Sequence, residues 1–286
     1  MDDQFEYVNC LICGKDDTEV FVRGKGPARI VKCRNDGLLY LNPRPASIRV
    51  RDFHTEYVRN DNLDMFTLFR REVLRREADT IKSMKSGGNL LDIGCATGTF
   101  FENFIGPTWH LYGVETSPLG VELARSRYGV EVFCGTLREV GYPSAFFDVV
   151  TILDTLYYLP DPRAELMEIK RVLKDEGVLA IEIPGLTYTL LRDRGPVCWA
   201  LDGKWSRMST DSWHLYYFSQ STLSLLLSSV GFRVVKAIPE QSSLGRRGVA
   251  RTLNDLHFAL ARLLFKATAG RFSIAGKELY LATKMK

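Results

Sequence analysis

No run of about 18 consecutive apolar residues occurs in this chain, so no membrane-spanning helix is expected. The opening MDDQFEYVNC lacks a basic stretch followed by an apolar one, and no secretory leader is read there. A strong excess of one charge is missing too. Lys and Arg number 38 against 34 Asp and Glu, and a formal charge of +4, small and dispersed, argues against a nucleic-acid partner. These absences point to a cytoplasmic chain. What is present is ordinary for a globular protein, 45% hydrophobic and 25% charged. At 286 residues the chain exceeds one usual domain modestly, so a main domain with an appendage is expected.

The most informative segment is NLLDIGCATGTF, Asn89 to Phe100. Leu90, Leu91 and Ile93 read as the end of a buried strand, with Asp92 at its carboxyl tip. Gly94 and Gly98 then bracket a turn that feeds a helix beginning near Phe100. Glycine accepts positive φ and lets a ligand press against backbone. Ligands of open α/β sheets lie beyond the carboxyl ends of the strands. The dinucleotide fingerprint G-x-G-x-x-G does not fit, because Ala96 and Thr99 stand where its second and third glycines belong.

Strand and helix signals follow at βαβ spacing. His110 to Glu115 reads as a second strand ending in an acid 17 residues after Gly98, where a carboxylate can accept ribose hydroxyls. Ser117-Pro118 opens a helix through Tyr128, with proline where its missing N–H costs nothing. Val130 to Cys134 is a third strand, with Gly135, Thr136 and Leu137 as its exit loop. Phe147 to Asp154 is the fourth, almost wholly apolar, as a strand covered on both faces should be. A helical stretch from Ala164 to Leu173 precedes a fifth strand, Val178 to Ile183.

The loop G-x-A-x-G behind an acid, the phrase FFDVVTILDTLYYLPDP and the phrase RVLKDEGVLAIEIP together resemble the motifs of class I S-adenosylmethionine (SAM) dependent methyltransferases. The resemblance covers Leu90 to Pro184 well and the remainder more loosely. It implies an α/β fold, a seven-stranded Rossmann-like sheet with its last strand antiparallel, and SAM as cofactor. On that likeness Gly94, Cys95, Ala96 and Gly98 would hold the methionyl group, with Asp92 ordering the loop or meeting the amine. Glu115 would fix the ribose, with Thr116 near the adenine edge. Thr136 and Leu137 occupy the adenine loop, where backbone or Leu137 packing must serve. Asp154, at the fourth-strand exit, belongs to the same site. No second carboxylate cluster suggests magnesium.

Of six cysteines, Cys95, Cys134 and Cys198 stand alone. Cys10-Leu-Ile-Cys13-Gly14 is a knuckle that aims two thiolates at one point. After nineteen intervening residues Cys33-Arg-Asn-Asp36-Gly37 repeats the frame with aspartate in the last position. The segment resembles a zinc ribbon, whose structural sites are closed and tetrahedral. Cys10, Cys13, Cys33 and Asp36 are the candidate ligands of a structural zinc; a metal-free ribbon and a disulfide are the other two readings. Three parts follow from this pass. Residues 1–45 form the ribbon-like subdomain, 46–86 a helical cap in which Tyr57, Phe66 and Phe69 could lean over the cofactor, and 87–286 the methyltransferase domain. Within the last, 185–213 is a lid insertion.

The lid carries Tyr188, Arg192, Arg194, Trp199, Lys204, Trp205 and Arg207, a mixture suited to a polar, anionic or sugar-bearing acceptor. Trp213-His214-Leu-Tyr-Tyr-Phe218-Ser219 resembles a block of glycan and natural-product methyltransferases. His214 is the candidate base, or else a hydrogen-bond donor ordering the lid. Where related proteins carry Glu-His after the fourth strand, this chain has Tyr157-Tyr158, so Asp154 or Tyr158 could share the base's role. The expected reaction is direct methyl transfer to a hydroxyl of a small-molecule, sugar or glycan acceptor. Carbon methylation of a sugar nucleotide, SAM binding without catalysis and nicotinamide-dependent oxidoreduction are the competing readings. Gly245 to Gly270 reads as a basic amphipathic helix, either packed on the sheet by Val249, Leu253, Leu256, Leu260, Leu263, Leu264 and Ala267 or lying on an anionic membrane.

Overall fold

In the computed structural model, residues 5–24, 26–46, 63–193, 214–241 and 249–285 are described, with 63–69 and 249–250 as backbone only. The N-terminal part holds β1 (Phe5–Glu6), β2 (Thr18–Arg23), β3 (Arg29–Cys33), β4 (Leu39–Leu41) and β5 (Arg44–Pro45). Helix α1 (Leu63–Lys82) leads into β6 (Gly88–Ile93), a 3-10 turn at Thr99–Asn103, β7 (Trp109–Glu115), α2 (Pro118–Tyr128) and β8 (Glu131–Cys134). Then come α3 (Leu137–Val140), β9 (Phe147–Leu153), a 3-10 turn at Leu156–Tyr158, α4 (Pro162–Val172), β10 (Leu173–Pro184) and α5 (Leu186–Asp193). The remainder is β11 (Tyr216–Tyr217), α6 (Gln220–Ser229), β12 (Phe232–Glu240), α7 (Val249–Ala267) and β13 (Lys277–Lys284).

Helix starts follow capping chemistry. Ser117 and Asp161 cap α2 and α4 by accepting from Gly120 N and Ala164 N, each with proline as the next residue. The main sheet runs β12-β13-β10-β9-β6-β7-β8, parallel except for β13, which is antiparallel to both neighbours. From β6 the chain moves outward through β7 and β8, then returns to β9 on the other side. The crevice beyond the carboxyl ends of β6 and β9 is therefore the topological switch point, where such sheets take their ligands. The expected seven-stranded α/β fold is the one observed.

Three local expectations differ. The helix read from Phe100 is a 3-10 turn. The fifth strand begins at Leu173, because Leu173 already pairs with Phe147 before the ladder shifts and resumes at Val178. Four leucines of α7 do not face the sheet: Leu253, Leu256, Leu260 and Leu263 are 61%, 67%, 47% and 64% exposed, while Ala261 is fully buried and Leu264 half-buried. The packing reading is therefore corrected for these four, and the inward side is that of Ala261.

The N-terminal segment does not sit apart. Its sheet runs β11-β4-β3-β2, taking its last strand from the segment that follows His214. Tyr216 pairs with Tyr40 and Tyr217 with Leu39. Leu215 O accepts from Leu41 N at 2.9 Å, and Leu215 N donates to Tyr157 O at 3.0 Å. Arg163 of α4 donates to Leu11 O and Ile12 O inside the Cys10–Cys13 knuckle at 2.8 and 3.2 Å. Ile30, Leu38 and Leu41 share one hydrophobic core with Leu215, Phe218 and Leu223. Among the described residues no helix is long and apolar enough to cross a membrane.

Candidate active site

The turn after β6 is held by its own contacts. Gly94 and Gly98 take φ of 72° and 78°. A Cβ at Gly94 would lie 2.5 Å from Thr155 Oγ1, and one at Gly98 2.9 Å from the Ala124 methyl carbon. These glycines are thus required by the turn and by packing on the β9 exit and α2, before any ligand arrives. Gly94 N and Cys95 N donate to Val114 O at 2.8 and 3.3 Å, Gly98 N donates to Cys95 O at 2.8 Å, and Ala96 N donates to Glu115 Oε2 at 2.9 Å. With four N–H groups committed, the loop suits an ammonium, received by carbonyls, better than an anion. Cys95 is buried with its sulfur over Gly113, so only its backbone serves the loop.

Glu115, at the tip of β7, also accepts from Ser117 N at 2.8 Å and Thr116 Oγ1 at 3.4 Å. Burial raises its pKa while these donors oppose the rise. The Thr116 backbone N–H is a fourth donor, so a ribose hydroxyl would share or replace one of these bonds. Asp92 lies beneath the loop, accepting from Thr151 Oγ1 at 2.6 Å, and burial pushes its pKa up to about 7. It joins β6 to β9. Thr136 N and Oγ1 both donate to Glu139 Oε2, at 2.7 and 2.9 Å. Leu137 is fully buried in the core with Leu91, Ile93 and Val114. Its side chain is taken up by the core, which leaves the backbone as the part of Leu137 open to the loop.

The facing wall is charged. Asp154 sits in the left-handed region at φ 58°, a conformation that costs a non-glycine residue free energy. Its carboxylate accepts from Arg70 Nη1 at 2.8 Å, from Tyr157 Oη at 2.6 Å and from Lys277 Nζ. Arg70 Nη2 also donates to the fully buried Glu182, and Lys277 lies 3.3 Å from it. Burial alone would raise the Asp154 pKa, but Lys277 and Arg70 hold it well below the usual carboxylate range. So tied, Asp154 is held as an ionised carboxylate by Arg70, Lys277 and the Tyr157 hydroxyl.

His214 Nε2 and Tyr158 Oη share a hydrogen bond of 3.0 Å, and the Tyr157 ring lies 4.8 Å from the imidazole. Burial pushes the His214 pKa down to about 4 despite the pull of Asp154, so the ring is neutral near pH 7. His214, Tyr157, Ile183, Leu186, Tyr216 and Phe218 are among the lining of one pocket. Sequence reasoning brought His214 and Tyr158 to this wall but missed Arg70, Glu182 and Lys277. An arginine in an arginine-rich helix and a lysine opening a strand carry no signal of their own. Tyr57 and the lid residues Arg194, Trp199, Lys204, Trp205 and Arg207 lie outside the described residues, as do Trp213, Cys198 and the side chains of Phe66 and Phe69.

Known proteins decide the family. The model of a methyltransferase domain matches residues 63–237, more than half of the chain. The chain belongs to this methyltransferase family. A demethylmenaquinone methyltransferase of Listeria welshimeri is 32% identical over 115 residues, 37% of this chain and 49% of that protein. An O-methyltransferase of Aspergillus nomiae is 29% identical over 131 residues, 43% of this chain and 56% of that one. The chain thus spans about half the length of the curated relatives it matches. Among solved structures, a SAM-dependent methyltransferase from Archaeoglobus fulgidus aligns with a TM-score of 0.54 at 20% identity, covering 79% of this chain and all of that one. A SAM-dependent methyltransferase of Thermotoga maritima, possibly a histamine N-methyltransferase, gives 0.51 at 20% identity, covering 80% and 99%. The fold is that of class I methyltransferases, and SAM is the cofactor the family implies.

The chain has a second constellation. The ligand atoms of Cys10, Cys13, Cys33 and Asp36 all lie within 4.8 Å of one another. Cys13 Sγ is 3.6 Å from Cys33 Sγ and Cys10 Sγ 3.1 Å from Asp36 Oδ2. A tetrahedral zinc at its usual bond lengths sets sulfurs about 3.8 Å apart, close to this spacing. A disulfide needs about 2.05 Å, so the disulfide reading is not the one observed. Gly14 N and Gly37 N donate back to Cys10 O and Cys33 O, at φ of 73° and 80°. Leu38 N donates to Asp36 Oδ1 at 3.0 Å, which turns Oδ2 toward the thiols.

Proposed function

We propose that this methyltransferase transfers a methyl group to a hydroxyl of an apolar or aromatic small molecule held beside His214 and Tyr158. The observation that carries this is the His214–Tyr158 hydrogen bond on a pocket lined mainly by aromatic and aliphatic side chains. SAM, when bound, supplies a methyl on a sulfonium, already electrophilic. The backbone from Gly94 to Gly98 would receive its ammonium, and Glu115 its ribose hydroxyls. Thr116 would lie at the adenine edge, with the backbone of Thr136 and Leu137 beside the ring. Asp92 would keep the loop in place from below.

The remaining work is orientation and one proton. An acceptor hydroxyl must lose its proton as the bond to carbon forms. Neutral His214 takes it, directly or through the Tyr158 hydroxyl bonded to it. Asp154 stays ionised and holds Tyr157 against the imidazole. A sugar or glycan acceptor rested on lid arginines and tryptophans outside the described residues, whereas the side chains around the pocket beside His214 are mainly aromatic and aliphatic. Carbon methylation stays as a second reading, because some relatives are named for demethylmenaquinone.

We also propose that Cys10, Cys13, Cys33 and Asp36 hold a structural zinc, all four positions filled from the protein. Two measurements test the whole. S-adenosylhomocysteine should raise the melting temperature where NAD does not, since only a ligand of the native state stabilises it. A panel of phenols and sugars, followed by release of S-adenosylhomocysteine, should give turnover on phenols. Turnover on sugars alone would overturn the acceptor reading.

A further inference from the structure

Helix α7 presents an apolar face that nothing in the described chain covers. Leu253, Leu256, Leu260 and Leu263 recur at spacings of three, four and three, so they share one side of the helix. All four are among the exposed large hydrophobics. Scattered surface leucines need no explanation, but a contiguous row of them does. Lys266 borders the row, Arg251 and Arg262 lie farther round the helix, with the Arg262 guanidinium 5.9 Å from the Phe258 ring, and all three are exposed. Asp255 is the sole carboxylate of the helix, and Gln241 and Arg251 engage it, at 2.8 and 3.9 Å. Arg246 and Arg247 precede the helix in sequence.

We propose that α7 lies on an anionic lipid surface, its leucines in the acyl boundary and its basic side chains toward the headgroups. Charge selects this occupant over a second copy of the chain. Two copies facing through the leucines would bring like-charged helices together, which costs free energy, whereas an anionic surface neutralises them. Position supports it. The Tyr188 ring of α5 lies 5.0 Å from the His257 ring of α7, and Leu186 and Thr189 of the same α5 line the pocket beside His214. Leu191, also on α5, is 52% exposed. The acceptor pocket therefore adjoins the apolar face through one short helix, which suits an acceptor that partitions into lipid.

The docking claim does not rest on the acceptor proposed above and is measured without turnover. The full chain is sedimented with vesicles of phosphatidylcholine mixed equally with phosphatidylglycerol, and with phosphatidylcholine alone. Binding is expected on the anionic vesicles, weakened by salt. It should fall on the order of tenfold or more in the double variant Leu256→Glu/Leu260→Glu and by a smaller factor in Arg262→Glu/Lys266→Glu. A retained melting shift with S-adenosylhomocysteine shows that each variant is folded. No sedimentation at low salt, or equal sedimentation of wild type and leucine variant, overturns the proposal. So does a wild-type dimer that becomes monomeric in the leucine variant, which would give the face to a second copy.

Discussion

Along the wall proposed for the cofactor the deciding contacts are short-range: Ala96 reaches Glu115 across 19 residues, and Thr136 meets Glu139 across three. The wall proposed for the acceptor is assembled from afar. Arg70 meets Asp154 across 84 residues, Lys277 meets Asp154 across 123, and Leu215 couples β4 of the ribbon to the Tyr157 backbone. One wall is a property of consecutive βα turns, the other of the whole fold. The first should tolerate changes elsewhere in the chain. The second should respond to changes in α1, the last strand and the N-terminal sheet.

Replacing Arg70 with Met should produce the largest effect and tests whether the far-assembled wall is also a stability element. Removing one partner of a buried ion pair strands the others, at a cost of about 3–5 kcal/mol. Asp154 is held at a depressed pKa, so its contribution is present above its ordinary value of 3.8 and is lost as pH falls through the folded value. The penalty of Arg70→Met, measured by urea unfolding, should therefore be greatest near pH 7 and shrink in acid. A penalty that does not vary with pH would show that the cluster is not held by charge.

The second effect separates the walls by chemistry. His214→Asn should lower kcat by about 100-fold, within the usual range for a lost general base, and leave the affinity for S-adenosylhomocysteine unchanged. With a folded pKa near 4 against an ordinary 6.5, wild-type His214 stays neutral from about pH 5.5 upward, so a base of this kind gives a flat rate there. The same depression means that wild-type stability falls as pH drops from 6.5 through about 4, where the unfolded chain gains a proton that the folded one refuses. His214→Asn should remove that part of the loss. Equal turnover of wild type and variant at every pH would leave His214 with a lid-ordering role only.

Glu115→Gln probes the local wall. The amide can accept at one atom only, so either Ala96 N or Ser117 N loses its partner. The expected result is about a tenfold weaker affinity for S-adenosylhomocysteine by calorimetry, equivalent to about 1.4 kcal/mol, with kcat at saturating SAM little changed. A fall in kcat without a change in affinity would mean that the walls are not separable in this way.

The same contrast explains what could be read from sequence. The strand order signals, Gly94, Gly98, Glu115 and the capped helices were legible because each depends on neighbours within one βα unit. His214 was legible through its surrounding block. The pairing of Asp154 with Arg70, Glu182 and Lys277 was not, since nothing local distinguishes a buried arginine from a solvated one in a helix rich in both. The leucine stripe of α7 was visible, but its direction was set by which face Ala261 let approach the sheet, and periodicity is silent on that. The ribbon's borrowing of Tyr216 and Tyr217 as a strand was equally hidden, because a two-residue strand has no pattern.

The smallest effect concerns Asp36, which stands in the frame where Cys33-x-x-x would otherwise complete a four-cysteine set. In Asp36→Cys the sulfur replaces Oδ2 among the thiols, while the Leu38 N–H loses the acceptor that Oδ1 now provides. A soft thiolate is as good a zinc ligand as the carboxylate it replaces. The lost hydrogen bond costs about 1 kcal/mol in the turn. If the proposed zinc is held there, elemental analysis should give one zinc per chain in wild type and variant alike, and turnover should change by less than about threefold. Cys33→Ser, which removes a ligand outright, should instead lower both metal content and turnover, because the ribbon sheet that carries Tyr216 also anchors Leu215, next to His214. Affinity for S-adenosylhomocysteine should survive in both variants. If Cys33→Ser lost metal and kept full turnover, the ribbon would be a neighbour of the acceptor wall rather than one of its supports.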